Sequence, residues 1–273
     1  MEFIAAAAAP KQPVLGFLAP GVVGQFFTIM LLLLLVYVMI QRAKAGLRIP
    51  AIRKIPGLDA VPEAVGRATE MGRPVHFSPG LGSVSNPATF AAWAFLAYIA
   101  KICAQYDTRL INTNRDYLVH AINEEIIKQA YLEAGKPEAY NPDDIRWLSD
   151  SQFAYATGVL GIFQRERPAA NIMIGYFYAE SLLFAEAGHL SGAIQVAGTT
   201  NTTQLPFFIV SCDYTLLGEE IYAASAYVSQ EPVLVGSVVG QDIGKILVFI
   251  AIILGTIFEN TMKTNPLTAL LRK

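Results

Sequence analysis

The stretch His76–Pro87 reads HFSPGLGSVSNP and has the ingredients of a phosphate cradle. Gly80 and Gly82 allow close backbone approach to an anion, and a helix starting after Asn86 offers unpaired N–H groups and a positive dipole end. Neither GxGxxG nor GK[ST] is present, so neither nucleotide fingerprint is met. A tight strand-to-helix turn that needs glycine accounts for the same residues. A second polar stretch, GTTNTTQ at Gly198–Gln204, can hydrogen-bond a polar ligand, its own backbone or another subunit. Cys212 precedes Asp213 and Tyr214, but none of the three histidines, His76, His120 and His189, stands beside it in sequence. A nucleophile without a base is incomplete, and a cysteine at an element's end is ordinarily a small packed residue. Glu186 and His189 share a helix face at metal-ligand spacing, yet bundle-type metal sites need two such motifs. A histidine near a helix's negative end is the simpler account, as are Glu219 and Glu220 at the start of one.

In open parallel sheets ligands bind outside the carboxyl ends of the strands. On that rule the candidate ligand contacts are Ser78, Gly80, Gly82, Ser83, Asn112, Thr199, Asn201 and Asp213, all in loops read as following strands. No catalytic residue, metal or cofactor is assigned. These positions converge only if the strands carrying them lie side by side.

The elements follow from punctuation and pattern. Pro62 near a first helical position and Gly72 at the end bound a helix over Val61–Met71. Strands are expected at Pro74–Phe77, Arg109–Ile111, Ile145–Leu148, Asn171–Phe177, Ala193–Ala197 and Phe207–Ser211. Helices are expected from Pro87 to Gln105 behind Asn86, from Asp116 to Ala134, from Ser149 to Gln164, over Ala179–Ala187 with Gly188 as its stop, and over Leu216–Val228. The strands read as short and apolar on both faces, as a sheet covered on both sides requires. Alternating strands and helices imply βαβ units. The expected fold class is α/β: a Rossmann-like three-layer domain with a mostly parallel sheet, inserted between two transmembrane helices.

The anchors are read from length. Gly21–Ile40 carries no charge in 20 residues, and at about 1.5 Å per residue a helix of that length spans a bilayer's hydrocarbon core. Ile243–Phe258, with the apolar run Val233–Gly240 before it, is a second span in which Lys245 snorkels to the interface. Ala88–Ala100 is too short to span and reads as a core helix. The domains are then 1–20, an N-terminal segment with no cleaved signal peptide; 21–41 and 240–260, the spans; 45–235, the α/β domain; and 261–273, a tail. Arg42, Lys44, Arg48, Arg53 and Lys54 follow the first span, which places the middle of the chain in the cytoplasm.

Of the 273 residues, 53% are hydrophobic and 15% charged, low for a soluble domain and high for a chain buried wholly in lipid. A net charge of −2 with no basic block beyond the juxtamembrane cluster argues against nucleic acid as a partner. Two distant cysteines form no disulfide framework. Pro74–Gly80 (PVHFSPG), Gly198–Phe207 (GTTNTTQLPF) and Cys212–Tyr227 (CDYTLLGEEIYAASAY) resemble an uncharacterised prokaryotic membrane-protein family with an anchor–domain–anchor layout. The resemblance covers most of the chain and implies a membrane location without an activity. The expectation is a membrane-anchored structural or assembly subunit, a homo-oligomer or part of a larger membrane complex, with the bilayer as its first partner. A tethered small-ligand or nucleotide sensor is the alternative, and an enzyme ranks behind both.

Overall fold

The computed structural model describes residues 23–47 and 55–262. The expected segment 1–20, most of the tail 261–273 and connector residues 48–54 lie outside the described residues. The chain divides into two units, one built from its two ends and one spanning Ile52–Glu231.

In the first unit α1 (Val23–Lys44) packs along α9 (Pro232–Met262). Three glycines, each one turn from the next, set the closeness. A Cβ at Gly236 would lie 2.6 Å from Ile40 Cα, one at Gly240 2.8 Å from Val36 Cα, and one at Gly244 3.1 Å from Leu32 Cδ2. Residues spaced by four on α9 thus meet residues spaced by four on α1 in reverse order. This is small-residue packing that brings two helix backbones together. The sequence reading began this helix at 240; it is one 31-residue element, because Val233–Gly240 continues its apolar character unbroken. Lys245 pairs with Asp242 one turn away at 3.6 Å. Helices α1, α9 and α3 (Pro87–Gln105) are long and apolar enough to cross a membrane. Most of α3, however, from Ala88 to Ala104, is buried in the second unit's core.

The second unit is an α/β domain. Strands β1 (Val75–Gly80), β2 (Leu110–Asn114), β3 (Ile145–Trp147), β4 (Ala170–Tyr176), β5 (Ile194–Thr199) and β6 (Tyr214–Leu217) form one sheet, in which every pairing is parallel. The order is β3-β2-β1-β4-β5-β6, so the winding reverses between β1 and β4. Helices α2 (Pro56–Glu70), α3, α4 (Tyr117–Glu133) and α8 (Glu220–Ser229) cover one face around Phe77, Phe95, Ile99, Ile172 and Val196. Helices α5 (Gln152–Glu166), α6 (Glu180–Ser191) and α7 (Leu205–Ser211) cover the other, around Tyr155, Phe163, Met173, Phe177, Phe184 and Phe208.

Several expected elements are corrected. Phe207–Ser211 is helix, not strand: Pro206 occupies an early helical position, and so short an apolar run has no period to separate helix from strand. The last strand is Tyr214–Leu217, so α8 starts at Glu220 rather than Leu216. Helix α2 starts at Pro56 and holds Pro62 inside it, where Pro62 forfeits the backbone bond to Leu58. Gly188 does not stop α6; Gly192 does, in a left-handed conformation at φ 70°. The strands are not apolar on both faces: His76, Asn171 and Gln195 are buried within them.

Candidate functional site

The second residue of three adjacent strands is polar. His76 of β1 stands beside Asn171 of β4, and Asn171 beside Gln195 of β5. All three side chains are buried on the α5–α7 face, and their hydrogen bonds fix one another. Gln195 spends both amide hydrogens on carbonyls, Nε2 donating to Ala185 O at 2.8 Å and Ser211 O at 3.0 Å. Its Oε1 therefore accepts from Asn171 Nδ2 at 2.8 Å. Asn171 Oδ1 in turn accepts from His76 Nδ1 at 2.8 Å, so His76 Nε2 carries no proton and accepts from the Thr113 hydroxyl at 2.9 Å. Burial holds the imidazole neutral, with its pKa pushed down to about 4. Tyr155 extends the ladder, its hydroxyl 2.7 Å from Ser78 Oγ and donating to Thr113 O at 3.2 Å. Burial raises that phenol's pKa to about 12.

Helix α6 is shaped to this ladder. A Cβ on Gly188 would collide with Gln195 Oε1 and lie 2.9 Å from Asn171 Nδ2, so glycine there makes room for the amide pair. The Phe163 ring of α5 meets His76 edge-on at 4.9 Å. Phe163 also lines a cavity of about 610 Å³ between α5 and α6, with Arg73, Gln164, Arg167, Glu186 and Leu190. Arg73 is spent there on the carbonyls of Arg167, Pro168 and Ser191.

The carboxyl edge of the sheet lies at the other end of the strands. Between β1 and β4 the two chains close on each other. Leu81 N donates to Tyr176 O at 2.7 Å, and a Cβ on Gly80 (φ 75°) would collide with that same carbonyl. Arg115 ties two further loops in, donating to Leu81 O and Asp150 O at 2.9 Å each. Glu180, nearly fully buried, accepts from Tyr178 N at 2.8 Å and Gln152 Nε2 at 2.7 Å; burial raises its pKa, against the pull of those bonds and of Arg115.

Of the expected ligand contacts, Ser78, Gly80, Gly82, Ser83, Thr199 and Asn201 stand at or beside this edge. Ser78 and Gly80 are the last part of β1 rather than loop, and Ser78 joins the ladder. Gly82 packs against Thr89, and Ser83 Oγ lies 2.9 Å from Ser85 Oγ. Asn201 accepts from Thr203 and donates to Phe177 O at 2.9 Å, while Thr199 Oγ1 accepts from Asn201 N at 3.2 Å. Asn112 points to the opposite face, where it bonds Asn114 and Asn123. Asp213 stands at the amino end of β6 and accepts from Gln195 N at 2.7 Å. Because α7 is a helix, Asp213 precedes a strand instead of following one, which removes it from the carboxyl edge. Burial pushes the Cys212 thiol up to about 12. Glu186 and His189 are exposed on α6, and among the described residues no group of three or more His, Cys, Asp or Glu gathers to hold a metal.

Sequence reasoning missed His76, Thr113, Tyr155, Asn171 and Gln195. The available signal was a polar residue at the same position in three neighbouring strands. A family model for a domain of unknown function, DUF6754, matches residues 18–270. No curated protein and no solved structure matches the chain.

Proposed function

We propose an assembly role for this chain, which belongs to the DUF6754 family: a membrane-anchored structural subunit whose α/β domain joins copies of itself. Helices α1 and α9 are the anchor, and Arg42 and Lys44 at the end of α1 support a cytoplasmic domain. The strand order 3-2-1-4-5-6 is that of doubly wound, Rossmann-like sheets. The reading rests on α7. This helix has no charged residue and buries only Phe208, leaving Phe207, Ile209 and Val210 at 42, 55 and 86% exposure. Leu182 and Leu190 of α6 add to the same layer, Leu190 at 79%. Helix α4 on the other side shows the solvated alternative, with Glu125, Lys128 and Glu133 exposed. Exposed apolar side chains on a helix without charge are the kind of surface that protein interfaces use.

The mass of the detergent-solubilised full-length protein tests this. A defined oligomer is expected for the native chain and a monomer for Ile209→Glu/Val210→Glu; a native chain that is monomeric would end the proposal. A second reading, a tethered ligand sensor, is supported by unspent backbone donors at the carboxyl edge.

A further inference from the structure

We propose that the loop Gly82–Ser85, with the Thr89 hydroxyl of α3, binds the phosphate group of a phosphorylated ligand. The backbone donors on either side of this loop are spent within the protein. Gly80 N donates to Ser78 Oγ, Leu81 N to Tyr176 O, Asn86 N to Ser83 O, Ala88 N to Asn86 Oδ1 and Thr89 N to Asn86 O. The N–H groups of Gly82, Ser83, Val84 and Ser85 have no acceptor among the described residues. Consecutive unspent N–H groups in a turn make an anion-binding nest.

An independent observation points the same way. Thr89 is fully buried in the first turn of α3, and its hydroxyl has no hydrogen-bond partner. That hydroxyl lies against the first residue of the loop: a Cβ on Gly82 would collide with Thr89 Oγ1. A buried hydroxyl left unpaired costs stability, and an oxyanion over Gly82 would accept from it. The hydroxyls of Ser83 and Ser85 lie 2.9 Å apart on the same loop. Arg115, held on Leu81 O, puts a guanidinium one residue away. Tyr176 flanks Gly82, its Cβ 3.5 Å from where a Gly82 Cβ would stand, and its ring meets Tyr178 edge-on at 5.1 Å. The loop lies where the winding reverses between β1 and β4, the place open α/β sheets use for ligands. The proposal is independent of the assembly role, since a chain that oligomerises without binding phosphate would sink only this one.

Calorimetric titration of the full-length protein in detergent with ADP, inorganic phosphate and adenosine tests it. ADP is expected to bind, inorganic phosphate to bind or to displace ADP, and adenosine to bind far more weakly than ADP. If phosphate alone binds as tightly as ADP, the natural ligand is a free oxyanion; if ADP binds more tightly, it is a nucleotide. Thr89→Val removes the unpaired hydroxyl, so it should keep or raise Tm while weakening ADP or phosphate binding about tenfold. Ser83→Ala/Ser85→Ala is the second variant, and a loss in either supports the site. The proposal falls if ADP and phosphate both fail to bind at millimolar concentration. It falls equally if adenosine binds as tightly as ADP, or if both variants bind like the native chain.

Discussion

The two faces of the sheet are built from the same strands by different physics. Along β4, Ile172 points into the apolar core under α2, α3, α4 and α8, while its neighbour Asn171 points into the polar ladder under α5–α7. Apart from the buried Asn112–Asn114–Asn123 cluster at its β2 edge, the apolar face holds by area removed from water, which is tolerant of detail. The other face holds by a chain of hydrogen bonds in which each donor dictates the next, which is intolerant of detail. The ladder joins β1, β4 and β5 side chain to side chain in one register, and His76 reaches diagonally to Thr113 of β2, two residues past its register partner Ile111. A slip of one residue would bury His76, Asn171 and Gln195 against the wrong partners. We read the apolar face as supplying stability and the polar face as supplying uniqueness of strand order.

Asn171→Ala breaks that comparison hardest. It leaves His76 Nδ1–H and Gln195 Oε1 buried without partners and opens a cavity, so a loss of about 4 kcal/mol is expected. Ile172→Val one residue along should cost about 1 kcal/mol. Replacing the whole ladder with apolar residues of similar size should cost less than Asn171→Ala alone, because no partner is then stranded. Denaturation followed by tryptophan fluorescence reads this directly, since the chain's two tryptophans, Trp93 and Trp147, both lie in the α/β unit. A ladder replacement costlier than Asn171→Ala would show that the face depends on its hydrogen bonds for net stability.

Acid is the next lever. An exposed histidine in the unfolded chain takes up a proton near pH 6.5, whereas native His76 refuses it until about pH 4. The stability this contributes is complete above pH 6.5 and is lost as pH falls toward 4, by about 3 kcal/mol in all. Glu180, with its pKa raised by burial, runs the opposite way, so the readout is the difference in slope between the native chain and His76→Gln. The variant's curve should be flatter between pH 6.5 and 4; parallel curves would mean His76 is protonated in the fold. Gly188→Ala is a smaller perturbation of the same ladder. Alanine in a helix interior ordinarily gains about 1 kcal/mol over glycine. Here its Cβ meets Gln195 and Asn171, and a loss of about 2 kcal/mol is expected in denaturant titration.

What the sequence disclosed follows the same division. Helices α3 and α4 were legible because their caps are local: Asn86 before Pro87, and Asp116, whose carboxylate accepts from Leu118 N at 2.9 Å and Val119 N at 3.0 Å. The apolar face was legible as alternating elements with buried strands. The ladder was not. The expected strands began at Pro74, Asn171 and Ala193, each one residue off the observed starts at Val75, Ala170 and Ile194. That offset hid the fact that three polar residues share one strand position. Helix α7 was misread because an apolar stretch of this length fits helix and strand alike. Reading it as a strand also carried Asp213 to the wrong end of the sheet. The loop Gly82–Ser85 was legible as an anion cradle from its glycines, but the orphaned Thr89 hydroxyl needs three dimensions to be seen.

The smallest expected effect on stability separates the two outer surfaces rather than the two cores. Val210 on α7 and Leu132 on α4 are both apolar and exposed, at 86 and 50%. Neither contributes much to folding, so Val210→Glu and Leu132→Glu should each shift stability by no more than about 0.5 kcal/mol. Leu132 stands among charged neighbours such as Lys128 and Glu133, where one more carboxylate is one more solvated group. Val210 stands on a helix with no charge at all, where a carboxylate placed in a joint between copies would be buried without a partner. Detergent-phase mass measurement should therefore show Val210→Glu falling to a smaller species while Leu132→Glu keeps the native mass. Were Leu132→Glu the one to dissociate, the joint would lie on the apolar-core side, and the exposed residues of α7 would need another occupant.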